Sequence, residues 1–145
     1  MKLVIQRVKK AKVTVKGKDA VVGEIGRGLF ILMGVTEGDT KEEAERLAEK
    51  VSKLRIMSDK EDKMNLSIKD VEGEILVVSQ FTLYADTSKG NRPSFIKAGK
   101  PELANELYEY FIDKLKEREI RVETGEFGAY MEIDAELDGP VTIIF

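Results

Sequence analysis

The run Glu74-Ile75-Leu76-Val77-Val78-Ser79-Gln80-Phe81-Thr82-Leu83 constrains the fold of this chain more than any other segment. Its apolar start, unbroken from Ile75 to Val78, requires cover on both faces, so the run reads as a strand inside a sheet with packed layers on either side. Beyond Val78 the composition turns polar. Period-2 alternation along a strand continuing to Leu83 would put Gln80 and Thr82 on one face and Ser79 and Phe81 on the other.

Other segments supply the rest of a sheet and its cover. Leu3, Ile5, Val8, Val13 and Val15 alternate roughly, with Lys9-Lys10-Ala11 marking a place for a bulge or bend. Val21-Val22 leads into Gly23-Glu24-Ile25-Gly26-Arg27-Gly28 and the apolar run Leu29 to Val35. These glycines stand in the order G-x-x-G-x-G and precede a strand, so they read as a hairpin turn rather than a nucleotide-binding loop. Asn65 to Ile68 reads as a short strand, and Tyr130 to Leu137 alternates toward Gly139-Pro140 and Val141 to Phe145. Two helices are expected. Thr40-Lys41-Glu42-Glu43 has capping-box spacing before Ala44, Leu47, Ala48, Val51 and Leu54, and Pro101 opens a second helix with Leu103, Leu107, Phe111 and Leu115 on its buried face. The length of 145 residues suits one domain spanning residues 1–145.

The chain contains no histidine and no cysteine. That removes Ser-His-Asp and Cys-His machinery, and it leaves a zinc site only carboxylates, so no metal or cofactor is expected. Asp86, Glu132, Asp134 and Asp138 show no spacing that singles out a pair. Chemistry must then rest on hydroxyls, backbone amides or the substrate. Gln80 and Thr82 are the first candidates, and Thr82 lacks a base to activate it, so amides at the strand end are the better candidates for an oxyanion hole. Gly139-Pro140 is the second candidate, either as an ordinary turn or as a pair of carbonyls aimed at a ligand.

The net charge of −3 argues against a generic nucleic-acid binder. Its distribution is uneven. Residues 1–18 carry +7 and residues 87–101, with Lys89, Arg92, Lys97 and Lys100, carry +4, leaving −14 elsewhere. A basic face requires those two stretches to meet in the fold. No apolar run reaches membrane length and the start is too polar for a secretory signal, so a cytoplasmic protein is expected.

Five segments in order carry a resemblance: Ile5-Gln6-Arg7-Val8, Lys63-Met64-Asn65-Leu66, Ser79-Gln80-Phe81-Thr82-Leu83 with Ala85-Asp86-Thr87, Gly90 with Arg92-Pro93-Ser94-Phe95, and Asp138-Gly139-Pro140-Val141-Thr142. Across nearly its whole length the chain resembles the D-aminoacyl-tRNA deacylases, also called D-tyrosyl-tRNA deacylases. The resemblance implies an α/β (α+β) fold with an antiparallel-rich, barrel-like sheet core and two main flanking helices. It implies a homodimer whose active site lies at the subunit interface, pairing the catalytic segment Ser79, Gln80, Phe81 and Thr82 with a cis Gly139-Pro140 of the partner. Arg7 would steady that loop and Met131 would help bind substrate, while Lys89, Arg92 and Lys97 would contact tRNA. The implied reaction is hydrolysis of the ester joining a D-amino acid to tRNA, with glycine misplaced on alanine tRNA as a further substrate. The vicinal ribose hydroxyl would assist. Tyr130 and Leu137 depart from the family pattern, which usually has Asp and often Asn there. Two other readings are an editing domain of the same fold that removes L-serine, and a non-catalytic dimeric RNA-binding module.

Overall fold

The computed structural model describes residues 1–18 and 20–145. The spine is β1 (Lys2–Val15), long enough at 14 residues to pair with three other strands. On one edge it meets β2 (Ala20–Ile25) through Ala11 to Val15 and β3 (Gly28–Gly34) through Lys2 to Val8, both antiparallel. Its other edge pairs antiparallel with β8 (Met131–Ile144). The sheet continues from β3 to β6 (Glu74–Ser79) and then to β7 (Arg121–Thr124), both additions parallel. A separate ribbon is formed by β4 (Met57–Ser58) and β5 (Met64–Leu66). The fifth strand thus starts one residue before, and ends two residues before, the expected Asn65 to Ile68.

The sheet rolls up until β2 approaches β7, giving a nearly closed barrel. Gly23 makes the approach possible, because a Cβ there would lie 2.3 Å from the Thr124 carbonyl oxygen. At Gly28 a Cβ would lie 1.8 Å from the carbonyl oxygen of Glu74, its partner in the parallel ladder. These close contacts correct the reading of the glycine-rich segment. It is no hairpin turn, since β2 and β3 follow one another along the same edge of β1 without pairing, and Gly26-Arg27 is a jog between them. The glycines serve backbone packing.

Both faces of β6 are buried, as its apolar run requires. Ile75 and Val77 join a cluster with Leu3, Ile5, Leu47, Val51, Leu107, Phe111 and Leu115. Leu76 and Val78 join Val8, Ala11, Val13, Ile25 and Phe30 in a second cluster enclosed by the rolled sheet. The first cluster is covered by α1 (Lys41–Lys53) and α2 (Pro101–Lys116). Thr40 caps α1 by accepting from the Glu43 amide, and Pro101 occupies the first turn of α2 where a missing N–H costs nothing. Tyr108 adds a buried phenol that donates to the Val77 carbonyl at 2.8 Å. Among the described residues no helix is long and apolar enough to cross a membrane.

Two irregularities place the functional segments. The strand expected to reach Leu83 stops at Ser79, and Phe81–Tyr84 forms a short 3-10 turn. The sheet neighbour β3 ends at Gly34, against which the side chains of Leu83 and Tyr84 pack, so the chain folds over that glycine and leaves the ladder. Along β1, the register to β8 shifts on either side of Val8, close to the bend expected at Lys9. Gln6 faces Thr142 while Val8 faces Leu137, so Asp138-Gly139-Pro140-Val141 bulge out of β8 opposite Arg7 alone.

Candidate active site

The end of β6 opens into a pocket of about 680 Å³. Ser79, Gln80 and Phe81 form one wall, Val35, Ala98, Gly99, Pro101 and Ala104 another, and Phe127 to Met131 with Ile133 the third. The size suits a nucleoside-scale ligand. The Gln80 amide N–H donates to the Met33 carbonyl at 2.7 Å, extending the ladder by one bond and fixing where the turn begins. The next two amides, of Phe81 and Thr82, have no acceptor among the described residues. Phe81 is half-exposed, its ring edge-on to Phe95 with centroids 5.1 Å apart.

Gln80 and Thr82 satisfy each other. The Gln80 Nε2 donates to Thr82 Oγ1 at 2.5 Å, so the Thr82 oxygen is held as an acceptor and no basic group touches it. The expected alternation of a continuing strand does not apply here, because the turn brings these two side chains together. Nothing in this arrangement activates Thr82 as a nucleophile. Among the described residues there is also no cluster of three or more acidic side chains placed to hold a metal.

Arg7 and Gly139-Pro140 form a second constellation. Arg7 is buried and two of its guanidinium nitrogens are engaged: Nε lies 3.2 Å from the Asp138 carbonyl oxygen and 3.0 Å from Asp138 Oδ2. Its Nη1 donates to the Ile56 carbonyl at 2.9 Å and to Ser58 Oγ at 3.2 Å. The fork thereby ties the bulge in β8 to the ribbon strand β4. Gly139 has φ +125, and the Gly139-Pro140 peptide bond is cis. Sequence reasoning named Arg7 and the dipeptide but missed Ser58 and the Asp138 carboxylate as their supports. Asp138 carried a signal as part of Asp-Gly-Pro, whereas Ser58, at the end of β4, stands at the head of a polar run that carries none.

One protomer does not bring the two constellations together. Met131 shares the pocket with Ser79, Gln80 and Phe81, while neither Gly139, Pro140 nor Arg7 lines it. Leu137 pairs with Val8 and Met131 with Val15, a separation of about 23 Å along an extended strand.

The basic stretches are partly neutralised by acids. Most lysines of the first are matched by acids across the sheet: Lys9 and Lys10 with Glu136, Lys12 with Asp134, and Lys18 with Glu126. Lys97 pairs with Asp86 at 2.9 Å. The Asp86 carboxyl is held well below the usual carboxylate range, first by its hydrogen bond to Ser88 and then by Lys97. Lys89 and Arg92 are exposed and have no ion-pair partner among the described residues.

A family model described as D-Tyr-tRNA(Tyr) deacylase matches residues 4–145. A relative from Thermosipho melanesiensis called D-aminoacyl-tRNA deacylase is 52% identical over 145 residues, covering 99% of this chain and 95% of its own. Another of the same name from Haemophilus influenzae is 56% identical over 138 residues, covering 95% and 94%. Among solved structures, one titled c-Myc DNA Unwinding Element Binding Protein superposes with TM-score 0.91 at 40% identity, covering 100% of this chain and 97% of its own. A second, titled as a probable eukaryotic D-amino acid tRNA deacylase, has TM-score 0.86 at 18% identity, covering 99% and 97%, and shares the fold.

Proposed function

The chain belongs to the D-Tyr-tRNA(Tyr) deacylase family, and from that membership we propose that it hydrolyses the ester joining a D-amino acid to the 3′ end of tRNA. The observation that carries the mechanism is the pocket at the end of β6, where the Phe81 and Thr82 amides lack acceptors. Those N–H groups stabilise the oxyanion that forms when water attacks the ester carbonyl. An aminoacyl ester is already reactive, and the vicinal ribose hydroxyl assists the water, so no side-chain base is required. Gln80 orients Thr82, which positions substrate.

Handedness is read by a second copy of the chain. In this reading the partner subunit lends its Gly139-Pro140 carbonyls to hold the α-ammonium, and an L side chain strikes them. The separation of Arg7 and Gly139-Pro140 from the pocket within one protomer supports that sharing. So does β8, which pairs only with β1 among the described strands and exposes Ile133, Leu137 and Ile144 along its length. A long edge strand with an exposed row of apolar side chains invites pairing. Met131 lies in the pocket wall and contacts substrate, and Lys89 and Arg92 meet tRNA phosphates, with Lys97 reaching them only at the expense of its Asp86 pair. Glycine has no side chain to be excluded, so glycine on alanine tRNA is a further substrate. The reaction and its tRNA substrate imply a cytoplasmic site of action.

Incubation with D-Tyr-tRNA and L-Tyr-tRNA tests the reading. Rapid release of D-tyrosine with L-Tyr-tRNA left intact is expected, and equal release from both, or from neither, would defeat it. A second reading, a non-catalytic nucleic-acid-binding module, draws on the name of the solved relative at 40% identity. Replacing Gly139 and Pro140 separates the two: a module keeps its nucleic-acid affinity and has no enantioselective turnover to lose.

A further inference from the structure

The rim of the pocket holds an aromatic side chain that neither the fold nor the proposed chemistry uses. Tyr130 immediately precedes β8 and is 70% exposed, although it forms part of the pocket wall beside Met131. The Lys16 ammonium lies over its ring, 4.7 Å from the centroid. This pair is a continuation of the β1/β8 ladder: Val15 faces Met131, and the Lys16 amide donates to the Tyr130 carbonyl at 2.9 Å. The segment leading to the ring is also braced. The Lys18 ammonium holds Glu126 at 2.6 Å, the Ala129 amide donates to the Glu126 carbonyl at 3.2 Å, and the Gly125 amide donates to the Val77 carbonyl at 3.2 Å.

A rigid, exposed aromatic ring with a cation beside it is the arrangement by which proteins bind unpaired nucleotides: the ring stacks on a base and the ammonium meets the backbone phosphate. Resting on the deacylase reading, we infer that Tyr130 and Lys16 form a stacking platform for the unpaired nucleotide that precedes the terminal adenosine of the tRNA 3′ end. The position fits. A terminal nucleoside in the pocket, with its ester carbonyl at Phe81 and Thr82, leaves through the mouth where Tyr130 stands. Tyr130 is then a positioning residue that favours a polynucleotide over a lone nucleoside ester.

The test compares two substrates, D-Tyr-tRNA and D-tyrosyl-adenosine, which ends where the platform begins. In Tyr130→Ala the ratio of kcat/KM for the tRNA to that for the adenosine ester should fall about 5- to 150-fold, the effect of losing one stacked base, chiefly through KM. Tyr130→Phe should restore the ratio, and Lys16→Gln should lower it with a weaker salt dependence. An unchanged ratio in Tyr130→Ala overturns the inference, as does a ratio that Tyr130→Phe fails to restore. Binding of a CCA trinucleotide carrying amide-linked D-tyrosine gives a second readout independent of turnover. If the parent protein hydrolyses neither substrate, the deacylase reading fails by itself. Equal affinity of the parent and Tyr130→Ala for the trinucleotide then overturns the platform separately.

Discussion

Removing the Arg7 guanidinium tests whether the Gly139-Pro140 bulge is held from behind. In Arg7→Ala the Ile56 carbonyl loses its donor in a buried setting, at a cost of about 1 to 3 kcal/mol. The ion pair to Asp138 is lost as well. Its carboxylate is 31% exposed, so water recovers part of that interaction and the loss is nearer ~1 kcal/mol than the value for a fully buried pair. Together these give about 3 kcal/mol, which for a chain of this length lowers Tm by roughly 10 °C. Arg7→Met keeps most of the aliphatic volume, so a similar loss there assigns the effect to the hydrogen bonds rather than to packing. Ser58→Ala removes one hydrogen bond, about 1 kcal/mol and roughly 3 °C. Thermal unfolding followed by circular dichroism reads all three. A fall in Tm for Arg7→Ala no larger than that for Ser58→Ala would refute the view of Arg7 as the anchor of the bulge.

Further consequences concern the turn and the core. Thr82→Ala should retain measurable turnover, since the Thr82 hydroxyl is an acceptor for Gln80 and has no base beside it; complete loss in a folded variant restores a nucleophile. Gly23→Ala should destabilise strongly in urea titration, because its Cβ would meet backbone rather than a movable side chain, and an unchanged midpoint would mean the barrel does not close there. Burial raises the Tyr108 phenol above its ordinary value near 10, so folding favours the neutral form. Its contribution is complete below about pH 10 and declines as pH rises toward the folded-state value. Stability of the parent protein should therefore fall more steeply above pH 10 than that of Tyr108→Phe, by up to about 1.4 kcal/mol per pH unit, and parallel profiles would contradict this.

Much of this fold is legible in the sequence where local patterns and burial agree. The apolar start of β6 gave away a strand covered on both faces, and Thr40 and Pro101 marked the starts of the two helices. The errors arise where tertiary contacts override local pattern. Gly23 and Gly28 resemble turn residues, yet they are small because other strands press against their Cα atoms. Gln80 to Leu83 look like strand, but the ladder has no partner beyond Gly34 and the chain turns. For the site, the residues were recognisable as motifs while their arrangement was not. Nothing in the pattern of Asp138-Gly139-Pro140 itself announces a bulge toward Arg7; that pairing was legible only through the family resemblance. The matching of Lys9, Lys10 and Lys12 by Glu136 and Asp134 depends on β1/β8 pairing between residues more than a hundred positions apart.

The central claim is that a working site joins the β6 turn of one subunit to the Gly139-Pro140 loop of another. Mixing tests it most directly. Phe81→Pro, which removes one of the two oxyanion-binding N–H groups at the first position of the 3-10 turn, and the double replacement Gly139→Ala with Pro140→Ala each damage a different half, so each protein alone should be nearly inactive toward D-Tyr-tRNA. Subunits exchanged at equal concentration form mixed dimers in half of the population, and one of the two sites in each would be intact, restoring about a quarter of the parent activity. Exchange confirmed by mass without any recovered hydrolysis would place both halves in a single protomer and contradict the account.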